Sequence, residues 1–253
     1  MKVKAILIIL VALFVYPMTC DAQLYTGMSG LIKNPSAEMN EEGDAVIAGY
    51  FLNKHFTPGE DKGFAWRGKK YDTFDFSVSL TPFRWIEIGY TFTLMKTIRE
   101  GDTKLRFNHK DRYFSVKLNP IRESKYIPAI AIGTNDPISS SGNFHRDGAD
   151  GSGYFASYYI VATKHFAPAK QTIGVNLGYR YVPKAPSKRW QGVICGLTWC
   201  PKWIPDLRAI AEWTGNEVNL GIDCVLWKHL VLQAAMVDCR YFTGGIAYKV
   251  NLF

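Results

Sequence analysis

"TIGVNLGYRY", residues 172–181, sets Ile173, Val175, Leu177, Tyr179 and Tyr181 against Gly174, Asn176, Gly178 and Arg180. A repeat of two is the signature of a strand, whose side chains alternate between the faces of a sheet. One face here is apolar, and the other is small or charged. The same division recurs in "TFDFSVSL" (73–80), "WIEIGYTFTL" (85–94) and "EVNLGID" (217–223). It returns in the terminal "TGGIAYKVNLF" (243–253), where Ile246, Tyr248, Val250 and Leu252 oppose Gly245, Ala247, Lys249 and Asn251. Weaker runs near 45–53, 111–118, 127–134, 153–163, 190–200, 207–214 and 229–238 bring the expected number of strands to about twelve. The phase is open at 45–53 and 153–163.

The connections between these runs alternate in kind. Those at 54–71, 96–110, 134–152, 183–189 and 238–241 are long or polar, with the tight "TGNE" (214–217) as an exception. The intervening ones, "TPFR", "NPIRESKY", "KHFAPAK", "PKWIPD" and "LWKH", are compact and rich in proline and aromatics. Long loops on one side and short turns on the other build outer-membrane barrels, whose short turns face the periplasm. The expected fold is therefore all-β: an antiparallel transmembrane β-barrel of about 12 strands with short periplasmic turns and longer extracellular loops. A soluble all-β protein of the periplasm or exterior is the competing class. Trp85, Trp199, Trp203 and Trp227 sit in or beside the short turns and are expected at a membrane interface, where amphipathic rings collect. Trp190 and Tyr181 are expected at the opposite rim.

At the amino terminus, Lys2 and Lys4 precede an apolar run from Ala5 to Tyr16 and a short polar stretch ending in Ala22. This is the layout of a secretory signal peptide, and the run is too short to span a bilayer as a helix. Residues 1–22 are read as the signal peptide, with cleavage after Ala22. Cys20 offers lipidation as an alternative, although "YPMTC" lacks the leucine and small residues that precede a lipoprotein cysteine. Residues 23–44 are expected as an amino-terminal periplasmic or plug segment, and 45–253 as the barrel. The formal charge of +8 and the mean hydropathy of −0.07 suit an exported chain whose apolar residues occupy every second position. The expected location is the outer membrane of a Gram-negative bacterium.

By alternation the inward face carries Asp75, Glu87, Lys117, Arg180, Arg208, Glu212, Asp223 and Lys249 among Gly, Ser, Thr and Asn. These residues either line a polar conduit for an anionic or hydroxyl-rich glycan, or neutralise one another and fill a lumen of modest width. Asp147, Asp150 and Ser152 stand among glycines in the 135–153 loop, but match no EF-hand spacing. The basic loop around Trp66, Arg67, Lys69 and Lys70 suits phosphates or polysaccharide acids. No metal or cofactor is expected.

Catalysis finds little support. His55, His109, His145, His165 and His229 all fall in turns, loops or strand ends, and no Gly-x-Ser-x-Gly stretch occurs. The chain is read as no enzyme, with an outer-membrane lipid hydrolase as a lesser alternative. Cys195 and Cys200 share a strand at a separation of roughly 16 Å, beyond bridging range. Cys224 and Cys239 fall at opposite ends of neighbouring strands, so the four are expected as free thiols.

The stretches "TGMSGLIKNPSAEMNEEGDAVIAGY" (26–50), "VSLTPFRWIEIGYTF" (78–92), "GVNLGYRYVP" (174–183), "WCPKWIPDLRAIAEW" (199–213) and "DCVLWKHLVLQAAMVDCRYFTGGIAYKVNL" (223–252) resemble the YjbH family. The Gly-Leu-Ile-x-x-Pro-Ser-Ala element at 30–37 is the most specific part. The resemblance implies an outer-membrane barrel encoded beside capsule or exopolysaccharide export genes, with no catalytic residues to carry over. This chain is much shorter than the long members of that family. The partners expected are outer-membrane lipid and lipopolysaccharide, the barrel-assembly machinery through the C-terminal strand, polysaccharide, and periplasmic export proteins; nucleic acid is not among them. A structural or adhesive surface barrel is the alternative role.

Overall fold

The computed structural model describes residues 25–57, 65–66, 69–98, 103–138, 154–183 and 185–253. The signal peptide, Cys20, His145, Asp147, Asp150, Ser152 and Arg67 lie outside the described residues, as does the side chain of Trp66.

Twelve long strands form the wall: β1 (Asp44–Leu52), β4 (Thr73–Phe83), β5 (Ile86–Thr97), β6 (Arg106–Ile121), β7 (Ala129–Asn135), β8 (Ser157–Phe166), β9 (Thr172–Tyr181), β10 (Gly192–Cys200), β11 (Leu207–Trp213), β12 (Val218–Leu226), β13 (Leu230–Val237) and β14 (Tyr241–Asn251). Two short strands, β2 (Ala65–Trp66) and β3 (Lys69–Lys70), pair within the β1–β4 connection. Each wall strand pairs antiparallel with its sequence neighbours, and β1 closes the circle by pairing β4 on one side and β14 on the other. The terminal stretch is thus the closing seam, with Ala45 opposite Val250 and Gly49 opposite Ile246. Closure matters because an open edge presents unpaired N–H and C=O groups.

β6 begins at Arg106, five residues before the apolar alternation that suggested 111. Its outward side chains there, Lys110 and Arg112, are exposed and charged, so the strand continues in geometry after its apolar face has ended. In β8 the strand begins at Ser157 and not at 153. Trp190 corrects the expectation of a rim aromatic. It lies in the turn Ala185–Trp190, is only 3% exposed, and donates from its indole to Glu217 (3.0 Å).

The wall is inverted relative to a soluble barrel. Phe76, Val78, Ile88, Leu197, Ile222 and Tyr248 point out and are exposed, whereas Asp75, Glu87, Lys117, Arg208, Glu212 and Asp223 point in and are buried. An apolar exterior belt is stable only when hydrocarbon surrounds it, because apolar area left in water is unfavourable. Leu197→Arg, in the middle of β10, tests this directly. In lipid it is expected to cost about 2–4 kcal/mol, read as a lowered unfolding midpoint in bilayers. A loss under about 0.5 kcal/mol, the usual result for a surface substitution in water, would count against a lipid-facing wall.

Inside the wall lies the chain's own amino-terminal segment. Residues 25–37 are buried throughout, and they fold back on themselves through a Gly30–Pro35 bridge and a Leu31 N–H to Asn34 O bond of 2.9 Å. The apolar core is therefore the contact between this plug and the wall: Tyr25, Leu31 and Ile32 pack with Val46, Tyr50, Leu52, Phe56, Ile210 and Val231. Ala37 packs in a second cluster with Tyr159, Val161 and Ile194. Small inward residues make the room. A Cβ on Gly196 would fall 2.2 Å from Leu31 Cδ1, and one on Gly245 would fall 2.1 Å from the Tyr50 ring.

Candidate functional site: a plugged barrel interior

The plug brings few charged groups of its own, and its backbone is what the wall reads. Glu212, on β11, accepts the N–H groups of Ile32 (3.2 Å), Lys33 (2.8 Å) and Asn34 (2.9 Å), and the Asn219 amide (2.8 Å). Three successive N–H groups converging on one carboxylate form an anion nest with the anion supplied by the wall. Arg180, on β9, donates to the Lys33 carbonyl (3.1 Å), Asn34 Oδ1 (3.2 Å) and the Thr214 carbonyl (3.0 Å). The turn 31–34 is thereby clasped from both sides near the loop end of the barrel.

Nearer the turn end, Glu87 and Lys117 face each other across the β5–β6 register in an ion pair of 3.0 Å, both side chains fully buried. Glu87 accepts Ser29 N–H (2.8 Å), Ser29 Oγ–H (2.6 Å) and the Asn40 amide (2.9 Å). Lys117 donates to the Ser29 and Glu38 carbonyls at 2.8 and 2.7 Å, and also contacts Ser29 Oγ. On β11, Arg208 pairs with Asp223 (3.1 Å) and Glu38 (3.2 Å) and donates to the Gly30 carbonyl (2.7 Å). Neutral wall side chains complete the register: Gln233 donates to Leu31 O, Asn176 to Pro35 O, Asn119 to Ala37 O, and Thr91 to Thr26 O.

All eight sequence-predicted lumen residues point inward, but they do not line an open bore. Six of them engage the plug or each other as described. Asp75 is fully buried and accepts from Thr93 (3.2 Å), and Lys249 pairs with Asp44 at 3.6 Å. Trp85, Trp199, Trp203 and Trp227 are exposed beside the short turns, with Phe83 stacked on Trp85 and Trp199 edge-on to Trp203. Cys195, Cys200, Cys224 and Cys239 form no disulfide among the described residues. A recess of about 720 Å³ lies on the apolar outer wall over β9–β14 and is part of the exterior belt.

Three further interior groups lie outside the eight that the sequence singled out. His165 is held between two carboxylates, with Nδ1 2.7 Å from Glu123 and Nε2 2.9 Å from Glu38. Burial pushes the Glu38 carboxyl up, but Arg208 and His165 outweigh it and hold the group down at about 2. Lys33 is the third. Its ammonium sits over the rings of Trp190 (3.1 Å), Phe56 (4.1 Å) and Tyr25 (5.2 Å), and burial pushes its amine well below the ordinary lysine range. Inward parity along β8 would have found His165 had its phase been settled. Nothing in the periodicity marks Glu38 or Lys33, which belong to the plug.

Closed, apolar outside and filled by its own chain, the molecule belongs to the class of plugged antiparallel barrels of the outer-membrane type. Within that class the family is shown by comparison: the family model described as "YjbH: Exopolysaccharide biosynthesis protein YbjH" matches residues 22–197, and the chain belongs to the YjbH family. The "Uncharacterized lipoprotein YjbH" of Escherichia coli (strain K12) is 27% identical over 157 residues, covering 60% of this chain and 18% of that protein. The chain therefore spans under a fifth of that relative's length. Among solved structures, outer membrane phospholipase A from Escherichia coli is 10% identical with a TM-score of 0.37, covering 84% of this chain and 98% of that one. Ail, the attachment invasion locus protein of Yersinia pestis, is 12% identical with a TM-score of 0.24, covering 83% and 100%. Likenesses this remote carry no conclusion about chemistry.

Proposed function

We propose that this chain is a non-catalytic outer-membrane barrel of a Gram-negative bacterium that, after removal of its signal peptide, supports surface handling or export of an exopolysaccharide or capsule. The family supports the polysaccharide context, and the apolar belt supports the membrane. The observation that shapes the role is the plug: with Glu87, Lys117, Arg180, Arg208 and Glu212 all engaged by residues 29–40, glycan meets the ends of the barrel and not its bore. In this reading the short turns face the periplasm, the closing strand β14 serves the assembly machinery, and the rims contact lipopolysaccharide and export partners. The non-catalytic reading draws support from His165, whose two ring nitrogens both face carboxylates and leave none to take a proton from a serine.

Two measurements test this. Reconstituted in planar bilayers, the wild-type barrel is expected to be silent, and steady ion conductance would overturn the closed interior. Deleting the chain is expected to reduce surface polysaccharide without changing lipid composition. Unchanged polysaccharide with lost adhesion would favour the adhesive alternative.

A further inference from the structure

At the turn end, where the plug leaves the barrel to become β1, the wall and the plug enclose a recess of about 550 Å³. Ala37, Met39 and Ala129 give it apolar lining, and Asn119, Thr163, His165 and the polar groups of the plug, the β4–β5 turn and the β6–β7 turn line the rest. Most of those groups are committed. Glu38 is held by Arg208 and His165, Glu123 by His165 and Lys164, and Glu42 by Arg84 at 3.2 Å. Asn119 is anchored to the Ala37 carbonyl (2.9 Å). Two charged side chains, Arg122 and Glu41, are exposed at the recess and make no ion pair among the described residues.

We propose that this recess is a binding site for a short acidic oligosaccharide, with Arg122 taking a uronate carboxylate and Glu41 accepting from sugar hydroxyls. The inference rests on the polysaccharide role proposed above and names its contact point. The volume falls in the range of ligand pockets, about 300–1,000 Å³, and a lining that mixes Ala37, Met39 and Ala129 with polar groups suits the two kinds of face that a sugar ring presents. Guanidinium against carboxylate, in two parallel hydrogen bonds, is what selects an acidic sugar over a neutral one. A peptide is the poorer fit. The closed barrel leaves no strand edge for an extended chain to pair with.

The test uses the full chain in detergent, with trigalacturonate as the probe and maltotriose as the neutral control, followed by calorimetry. Saturable binding of trigalacturonate is expected, weakened at least about tenfold by Arg122→Ala and by raised salt, with maltotriose much weaker. Arg122 lies exposed in a turn, so the variant is expected to keep the heat-dependent gel mobility of the folded barrel. Equal binding of both sugars, unchanged binding by Arg122→Ala, or binding of peptides but not of trigalacturonate would each overturn the site. Deletion separates this site from the broader role. If trigalacturonate fails to bind while deletion still lowers surface polysaccharide, the recess is wrong and the role stands. If trigalacturonate binds while deletion leaves surface polysaccharide unchanged, the recess stands and the role is wrong.

Discussion

Lys117→Met is expected to destabilise the barrel by about 3–5 kcal/mol, because it removes one partner of a fully buried ion pair and leaves the other charge uncompensated. The Lys117 ammonium touches Glu87 at 3.0 Å and the carbonyls of Ser29 and Glu38 at 2.8 and 2.7 Å. Methionine fills much of the volume but donates nothing, so Glu87 and two plug carbonyls lose a donor together. The loss should be visible as a lower denaturant midpoint, followed by gel mobility of unheated samples. Adding Glu87→Gln removes the stranded charge, and the double variant is expected to cost clearly less than the sum of the two single ones. A loss below about 1 kcal/mol for Lys117→Met, the value of an exposed pair, would mean that water reaches the pair and that the plug does not seal this end.

How much of this was legible in the sequence depends on what each residue faces. Strands such as β4 and β9 were plain, because Phe74, Phe76, Val78 and Leu80 meet the outside and Asp75, Ser77 and Ser79 the inside. β1 and β8 were ambiguous for a physical reason. Val46, Ala48, Tyr50 and Leu52, and likewise Tyr159 and Val161, are inward yet apolar because they pack on the plug, so both faces of those strands are greasy and the period of two fades. Trp190 misled for the same reason, since a tryptophan near a loop is ordinarily a rim residue and here it cages Lys33. Eight inward charged residues could be enumerated by parity alone, and the same parity along β6 also turns Asp111 inward. What parity cannot reveal is that Glu87, Lys117, Arg180, Arg208 and Glu212 find partners in backbone groups of residues 29–38. A carboxylate that caps three N–H groups leaves no pattern of complementary charge in the chain, and the small inward glycines that admit the plug look the same as those of an open bore.

Glu212→Ala is expected to unseat the tip of the plug. The substitution removes the acceptor of four hydrogen bonds, from Ile32, Lys33, Asn34 and Asn219, and leaves three buried backbone N–H groups facing a cavity. Each buried donor left unsatisfied costs about 1–3 kcal/mol, so a total above about 3 kcal/mol is expected unless water enters to replace the carboxylate. Water entry is the informative route, because it leads from the loop end towards Arg180 and opens the interior. The variant should therefore show flickering conductance in planar bilayers where the wild type is silent. Glu212→Gln retains one acceptor oxygen but turns an amide N–H₂ towards N–H groups, and should fall between the two in both stability and conductance. A Glu212→Ala barrel that remains silent and as stable as the wild type would mean that Arg180, with its bonds to Lys33 O and Asn34 Oδ1, holds the turn unaided. The carboxylate would then be a passenger of the plug and not its clasp.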